Sequence, residues 1–553
     1  MRKYLALLLA AMMMASLFSF AAMAETADSA LLAEAGLEIG SDGAYRFTET
    51  RKITVEIFDR GLDNGKTPAH DNLWTQWIHD SVLEKHNIEV EFQPVDRWSE
   101  DTQINNLLAA GDAPDVCVTY SYPAIQQYAN MGGVVDLAEY VDKYAAVLPN
   151  LWGWLGDYNV NYDRDPFTGT LWALEAKLAV NTRIGTFVRK DWLEKLGLDE
   201  PTSIEEYEDM LRAFRDNAEL LLGADADKMV PFSTSYDVGW RTDHLAAAFI
   251  PDAMTDKDQF VYGFDDRHIM YPNYKEAIRK LNEWYNEGLI WQDFALYGDG
   301  DTTEDNMIKA GYVGSLIHSW DQPYRDGDNG YTGNLHTMVG PEADWVSVTT
   351  FKNDAGLYRK FLSQPIDRKV FLPGTNDEPL ASLLYIDFIS DAENIMFLQL
   401  GEEGKTHRVL ENGAYQNISG QEGSDPEWIQ NSLNNIDYTI TINGLNLPIE
   451  SIAAGYAGVD PALVVKAYEA SLKDGRVAKK VATGEIVSEA GMASPLKEKR
   501  DVMLDNAIIA KPEDFDSVWD AAWADYLASG AQDIINERLA AWESIYGEAT
   551  MLP

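Results

Sequence analysis

Short β-rich segments alternate with helical segments over most of this chain, and this alternation is the strongest constraint on its fold. Residues 53–58 and 88–92 have the period-two pattern of strands. Between them, a segment opening at Asp71 places Trp74, Trp77, Ile78 and Val82 on one face at helical spacing. Strands separated by helices of this length predict βαβ units, a mostly parallel sheet and an α/β fold.

The first 24 residues predict export. Met1-Arg2-Lys3 is a basic start, an apolar run extends to Phe20, and Ala22-Met23-Ala24 is a small-residue cleavage site. This arrangement is typical of a secretory signal peptide cut after Ala24; the alternative is an uncleaved signal anchor. Residues 25–50, which are small and polar, predict a flexible leader. We expect an extracytoplasmic protein, whether secreted, periplasmic or associated with the cell surface.

Charge and cysteine content narrow the class of protein further. The 553-residue chain has a formal net charge of −46, which repels nucleic acid and anionic lipid and excludes both as expected partners. Cys117 is the single cysteine, so the chain has no intramolecular disulfide. We expect Cys117 to be a buried strand residue, and its position far from Ala24 excludes a thioether-linked lipid at the expected mature amino terminus.

No catalytic, phosphate-binding or metal-binding motif stands out. The eight histidines are scattered without the HExxH spacing, and no GxSxG, P-loop or GxGxxG pattern is present. The sequence therefore predicts no cofactor, no metal ion and no catalytic residue.

Several short passages resemble one family. They are LLAAGDAPDV at 107–116, YANMGGVVDL at 128–137, RKDWLEKLGL at 189–198, YIDFIS at 385–390 and GEEG at 401–404. In this order along one chain, they resemble the extracellular solute-binding proteins of ABC importers, in the carbohydrate-binding family 1 group. The chain departs from many relatives in lacking the lipid-anchoring cysteine after the signal.

The resemblance implies a two-lobe, type II periplasmic-binding-protein fold with the ligand in a cleft between the lobes. It places lobe 1 at residues 51–172 plus 372–410, and lobe 2 at residues 173–371 plus 411–553. Each lobe is thus expected to be discontinuous in sequence, with crossings near 171–173 and 371–373.

Sugar recognition requires flat aromatic faces and polar groups that bind hydroxyls, and the sequence offers two candidates around tryptophan residues. Trp320 comes directly after the apolar strand at 313–317 and resembles the position of a stacking aromatic in the family; a core or hinge role is the alternative. Trp240 and Arg241 are a second candidate, with a buried tryptophan and an ion-paired arginine as the alternative.

Two further candidate pairs follow strands of the first half. Tyr120 and Tyr122 follow the Cys117 strand at the carboxyl end, where open sheets bind ligands. Asp59 and Arg60 follow the first strand in the same way. Ordinary packing and a solvated turn are the respective alternatives.

The sequence favours a monomeric transport receptor over an enzyme. In this interpretation the protein captures an oligosaccharide by lobe closure and delivers it to the transmembrane subunits of an ABC permease. The alternative is a secreted glycoside hydrolase or lyase, because a chain with 90 acidic residues contains carboxylate pairs by chance. A surface-layer or scaffold protein is a third interpretation, disfavoured by the lack of repeats. The identity, length and linkage of the sugar stay open.

Overall fold

The computed structural model describes residues 28–60, 68–235, 237–298, 300–325, 327–418, 437–489 and 492–552. The signal peptide predicted at 1–24 lies outside these residues. The chain divides into two compact units, each discontinuous in sequence. Unit 1 consists of residues up to Ala179 with 365–409 and 417–446, and unit 2 consists of 180–364, 410–416 and the residues from Leu447 onward.

The strands are short apart from two of nine residues in unit 1. They are β1 Leu37–Ile39, β2 Tyr45–Phe47, β3 Arg51–Asp59, β4 Ile88–Asp96, β5 Cys117–Thr119, β6 Leu174–Leu178, β7 Ile184–Arg189, β8 Val230–Ser233, β9 Val313–Ser319, β10 Trp345–Ser347, β11 Lys360–Phe361, β12 Ile366–Phe371, β13 His407–Val409, β14 Tyr415–Asn417, β15 Ile442–Asn443 and β16 Gly475–Arg476.

The helices of the first half are α1 Ser29–Ala35, α2 Leu73–His86, α3 Glu100–Ala110, α4 Tyr122–Asn130, α5 Ala138–Lys143, α6 Pro149–Val160, α7 Lys190–Leu196, α8 Ile204–Asp216, α9 Ala218–Leu222, α10 Val238–Arg241, α11 Asp243–Phe249, α12 Asp256–Tyr262 and α13 Tyr274–Glu287. Those of the second half are α14 Thr303–Lys309, α15 Tyr331–Met338, α16 Pro379–Ile389, α17 Ala392–Leu400, α18 Ile449–Ala454, α19 Pro461–Leu472, α20 Ala493–Ile509, α21 Phe515–Tyr526 and α22 Gln532–Tyr546. Within the described ranges, no helix combines the length and the apolar character that a membrane span requires.

Unit 1 is built on the strand–helix–strand unit that the sequence predicts. Strands β3 and β4 run parallel in register from Arg51 opposite Ile88 to Asp59 opposite Asp96. Helix α2 connects them and buries Trp74, Ile78 and Val82, so the predicted apolar face is confirmed as core packing. β5 lies beside β3 in the parallel sense through a bridge between Val55 and Val116.

The sheets are mixed rather than mostly parallel. In unit 1 the order is β15-β6-β12-β5, and β12 runs antiparallel to both β5 and β6. In unit 2 the order is β10-β7-β9-β8, and β7 runs antiparallel to β9 and β10. The direction of β12 follows from its position in the chain: it enters unit 1 from residue 365, so no local βαβ crossover fixes it as parallel.

Residues 28–50 form defined structure instead of the flexible leader expected from composition. α1 is capped by the Asp28 carboxylate. β1 and β2 form an antiparallel pair in which Leu37 lies opposite Phe47 and Ile39 lies opposite Tyr45. Leu37 and Phe47 are buried in the unit 1 core, and His86 of α2 hydrogen-bonds through Nδ1 to the Tyr45 carbonyl at 2.7 Å. Burial of a few apolar side chains thus orders a segment whose overall composition is polar.

Cys117 occupies the buried strand position predicted for it. The residue is fully buried in β5, and its thiol donates to the Pro114 carbonyl at 3.3 Å. Burial raises the pKa of the thiol well above its ordinary value, with the Glu56 and Asp115 carboxylates adding to the effect. The thiol is therefore protonated at neutral pH and is a core group, not a nucleophile.

Candidate functional site

The carboxyl ends of three parallel strands meet at one edge of unit 1. β3 ends at Asp59, β4 ends at Asp96, and β5 ends at Thr119. Because β3, β4 and β5 run in one direction, the residues that follow them lie on the same side of the sheet. This edge brings together Asp59, Arg60 and Tyr120, three of the residues predicted from sequence, and adds Arg97 and Trp98, which the sequence analysis did not select.

The side chains at this edge form a group that we call the arginine–aromatic cluster: Phe58, Arg60, Arg97, Trp98 and Tyr120. The Phe58 and Tyr120 rings stack at 6.2 Å with an interplanar angle of 14°. The Arg97 guanidinium lies over them, 4.2 Å from the Tyr120 centroid and 5.3 Å from the Phe58 centroid. Trp98 is 72% exposed, and the guanidinium groups of Arg60 and Arg97 lie 5.9 and 5.7 Å from its ring.

A buried carboxylate fixes two arginines at this edge. Arg60 binds Asp437 in bidentate fashion, through Nε at 2.6 Å and Nη2 at 2.9 Å. Arg368, at the start of β12, donates from Nη2 to the same carboxylate at 3.3 Å and from Nε to the Tyr120 hydroxyl at 3.1 Å. The side chains of Arg368 and Asp437 are both fully buried, so this network sets the orientation of Arg60 and Tyr120.

Asn443 extends the network, since its side-chain oxygen accepts from Arg368 Nη2 at 2.9 Å. The edge thus combines an open indole face, stacked rings and several hydrogen-bonding groups. Such a combination suits a pyranose ring, which has apolar faces and a rim of hydroxyls.

Tyr122, the other tyrosine predicted from this strand exit, occupies different surroundings. Its hydroxyl donates to the backbone carbonyl of Asp163 at 3.2 Å, and burial, with help from Asp163 and Glu175, raises its pKa. Its ring packs against a small apolar cluster that includes Ile104. Among the described residues, no hydrogen bond or ring contact joins Tyr122 to the arginine–aromatic cluster, because Tyr122 is the first residue of α4 and packs into that apolar cluster.

Trp320, the leading candidate from the second half of the chain, is 7% exposed and part of the unit 2 core. Its ring meets that of Tyr468 edge-on at 5.5 Å, and its backbone N–H donates to the Arg183 carbonyl at 3.1 Å. These surroundings favour the packing role that the sequence left as the alternative. Contact with a ligand stays a prediction.

Arg241 is 1% exposed and makes a complete buried ion pair. Its Nη1 and Nη2 bind the two oxygens of Glu304 at 2.8 Å each, and its Nε donates to the Ile317 carbonyl at 2.7 Å. Glu304 also accepts from Ser233 and Ser235. Burial alone raises the pKa of Glu304, but Arg241 and the serines outweigh it and hold the pKa below its ordinary value. This geometry corresponds to the ion-paired alternative for Arg241.

Trp240 is half-buried beside the exit of β9. Its ring lies 5.2 Å from that of His318 at 80°. Burial, with Arg241 and Arg325, lowers the pKa of His318 to about 2, so the imidazole is neutral at physiological pH. The Trp240 Nε1 donor is buried and has no hydrogen-bond partner within the described part of the chain. The indole N–H of Trp240 is thus a buried donor that no described residue satisfies.

The residues that the structure describes contain no group of three or more His, Cys, Asp or Glu side chains arranged to hold a metal ion.

Comparison with known proteins shows what the chain is similar to. Residues 67–293 match the family model of the bacterial extracellular solute-binding proteins. No curated protein sequence matches the chain. Among solved structures, the chain is similar to a human-milk-oligosaccharide (HMO) binding, ABC-transporter-associated solute-binding protein from Bifidobacterium longum infantis, with a TM-score of 0.61, 16% identity, and coverage of 89% of this chain and 99% of that one.

Two more solved structures have the same fold. The substrate-binding protein FusA of an ABC transporter from S. pneumoniae, an EF-hand mutant in complex with fructo-nystose, gives a TM-score of 0.60 at 15% identity over 90% of this chain and 100% of that one. The alginate-binding protein AlgQ2 gives a TM-score of 0.57 at 16% identity, with coverage of 90% of this chain and 98% of that one. The predicted α/β fold of the two-lobe, type II periplasmic binding proteins is thereby confirmed, and so is the resemblance of this chain to the extracellular solute-binding proteins.

Proposed function

We propose that this protein is the extracytoplasmic substrate-binding component of an ABC importer and that its ligand is an oligosaccharide. The observation that carries the proposal is the arginine–aromatic cluster, in which the 72% exposed Trp98 ring lies beside Arg60, Arg97 and Tyr120. The family match over 67–293 and the fold shared with oligosaccharide-binding structures support it.

The ligand contacts expected from sequence belong to this proposal. In unit 1 they are Asp59, Arg60, Tyr120 and Tyr122, and we add Arg97 and Trp98 to them. In unit 2 they are Trp240, Arg241 and Trp320, of which Trp240 has the buried, unpartnered indole N–H that supports a polar ligand contact. We further propose that binding is accompanied by lobe closure and that the protein acts as a monomer that delivers its ligand to the permease.

The proposal includes the processing of the amino terminus. We propose cleavage after Ala24 without attachment of a lipid, on the strength of the small-residue site and the distance of Cys117 from it. Intact-mass measurement of the exported protein tests this, and a mass that retains Met1 or includes an acyl group contradicts it.

A thermal-shift screen against oligosaccharides, with analysis of the sugars afterwards, tests the main proposal against the enzyme alternative. A ligand at about one hundred times its Kd stabilises the folded state by about 2.7 kcal/mol, which raises Tm measurably. We expect a raised Tm with at least one oligosaccharide and the same sugar recovered unchanged. Release of sugar fragments by the purified protein would favour a hydrolase or lyase, and no shift across neutral and acidic oligosaccharides would refute the binding role.

A further inference from the structure

Arg97 differs from the other arginines of the edge in its partners. Arg60 and Arg368 both bind the Asp437 carboxylate. Arg97 makes no side-chain hydrogen bond and no ion pair with any described residue, and its buried Nε has no partner. Its side-chain contacts are the faces of Phe58, Tyr120 and Trp98.

The carboxylates at the ends of β3 and β4 do not neutralise it. Asp96 uses Oδ1 to accept from the backbone N–H groups of Trp98 at 2.7 Å and Ser99 at 3.0 Å. Asp59 is connected to Arg97 through its backbone, since the Asp59 carbonyl accepts from the Arg97 N–H at 2.9 Å. Neither carboxylate forms an ion pair with the Arg97 guanidinium within the described part of the chain.

The physical chemistry of this position favours an anionic ligand. Aromatic faces attract a cation but do not accept its N–H hydrogen bonds as an oxygen does, so the buried Nε donor of Arg97 is left unmatched. A buried donor without a partner is unfavourable, and a planar carboxylate satisfies two guanidinium donors at once. In a chain with 90 acidic and 44 basic residues, an arginine without a carboxylate partner among the described residues is most simply explained by a carboxylate that the ligand supplies.

We propose that Arg97 and Trp98 form a subsite for a uronic acid residue of the oligosaccharide. The apolar face of the uronate ring stacks on the exposed Trp98 indole, and its carboxylate accepts hydrogen bonds from the adjacent Arg97 guanidinium. This inference rests on the proposed oligosaccharide-binding function and adds to it the charge class of the ligand: an acidic rather than a neutral oligosaccharide.

Matched pairs of ligands test the inference. We would titrate the full protein calorimetrically with tetrasaccharides of galacturonate, mannuronate and glucuronate, each beside a twin whose carboxylates have been reduced to primary alcohols. At least one acidic member is expected to bind roughly tenfold or more tightly than its twin, the gain typical of a charge-assisted bidentate contact. Added salt should weaken binding of the acidic member and leave the twin nearly unchanged.

Substitutions connect that preference to the subsite. Arg97→Gln should weaken binding of the acidic member about tenfold or more while changing the twin's affinity less than about threefold, and Arg97→Lys should restore part of the loss. Arg46→Gln removes one positive charge elsewhere in unit 1, where Arg46 meets Glu38 at 3.9 Å, and should keep the preference. Thermal melting of each variant checks its fold.

Each outcome decides between the two proposals. The uronate subsite would be overturned if the wild-type protein binds the reduced twins as tightly as the acidic oligosaccharides. It would also be overturned if the Arg97→Gln variant keeps the preference for the acidic oligosaccharides. Tight binding of neutral oligosaccharides alone would overturn it while leaving the proposed transport function intact. If neither acidic nor neutral oligosaccharides bind, both proposals fail.

Discussion

Side chains of one residue type have different surroundings in this protein even where the sequence places them alike. Trp98 and Trp320 both follow strands, at the exits of β4 and β9, yet Trp98 is 72% exposed and Trp320 is 7% exposed. Arg60 and Arg241 were both expected to bind ligand, and each is held by a carboxylate, Asp437 and Glu304 respectively. Position relative to a strand therefore selects candidates, and burial then distinguishes the exposed side chains from the packed ones.

Alanine substitution of the two tryptophans should have opposite effects. Trp98→Ala should weaken oligosaccharide binding about ten- to a hundredfold with little change in Tm. This loss corresponds to about 1–3 kcal/mol of binding free energy, which the stacked ring supplies by burying apolar area. Trp320→Ala should instead destabilise the fold by about 3–5 kcal/mol, as for a large core side chain. Calorimetric titration and urea unfolding of both variants measure these quantities.

Trp320→Phe is the control for this pair, because it retains most of the core volume. If Trp320→Phe keeps the stability of the wild type but loses sugar affinity, Trp320 contacts ligand as the sequence analysis expected. Unchanged affinity in Trp98→Ala would remove Trp98 from the site.

At the level of elements, hydrogen bonds to helix ends decide where helices begin and how they pack. Ser203 caps α8, with its hydroxyl accepting from the Glu206 N–H at 3.2 Å. The cap of α2 is Asn72 rather than the neighbouring Asp71, since the Asn72 side chain accepts from Trp74 N–H at 2.9 Å and forms a reciprocal box with Thr75. Both caps satisfy donors that a helix amino terminus leaves unpaired.

Asp387 of α16 accepts hydrogen bonds from the amino-terminal turn of α6, so it satisfies helix-end donors of a different helix. We expect this contact to make the stability of the protein depend on pH. Its carboxyl accepts from the Leu151 N–H of α6 at 2.8 Å and from the Asn150 side chain at 3.0 Å. Burial raises the pKa of Asp387 to about 7 despite these two bonds. The folded state therefore holds a proton that the unfolded state releases above about pH 4.

The sign of the effect follows from this raised pKa. The contribution of protonated Asp387 to stability is fully present below about pH 4 and is lost as the pH rises to about 7, by an amount on the order of 4 kcal/mol. Asp387→Asn mimics the protonated side chain, so its stability relative to wild type should increase by that order between pH 4 and 7. Urea unfolding at several pH values measures this difference.

Asp377→Asn is the control, because it removes one carboxylate from an exposed residue just ahead of α16. A wild-type curve parallel to that of Asp387→Asn between pH 4 and 7 would show that Asp387 is ionised in the folded protein throughout, contrary to the expectation.

For the whole molecule, the excess of acidic side chains is the dominant electrostatic feature. The chain carries 90 acidic and 44 basic residues, and many of the basic side chains form ion pairs, such as Lys466 with Glu200. The unpaired acidic excess repels itself across the surface, which favours solubility but disfavours the compact state.

Salt should therefore stabilise the protein at neutral pH. Sodium chloride shortens the range of charge repulsion to about 10 Å at 0.1 M, so we expect Tm at pH 7.5 to rise between 20 and 200 mM salt. The rise should be much smaller at pH 4.5, close to the sequence pI of about 4.4. Differential scanning calorimetry measures both; a Tm that falls with salt at pH 7.5 would mean that specific ion pairs outweigh the net repulsion.

The sequence by itself determined the class of fold, because the alternation of period-two and helical segments is a local property that tertiary contacts did not override. It also located the strand exits where Asp59, Arg60 and Tyr120 meet, since parallel strands end at a common edge. Arg97 and Trp98 follow β4 in the same way, so their place at this edge is also a property of the sequence.

Only the tertiary structure decided which of these side chains are bound by other protein groups and which remain exposed to solvent. Asp437 lies 377 residues from Arg60 in the chain, and Arg368 lies 248 residues from Tyr120, so no sequence spacing indicates their contacts. The burial of Trp320 and the pairing of Arg241 with Glu304 likewise depend on segments that meet only in the folded unit. The antiparallel course of β12 has the same origin, because the chain returns to unit 1 after passing through unit 2.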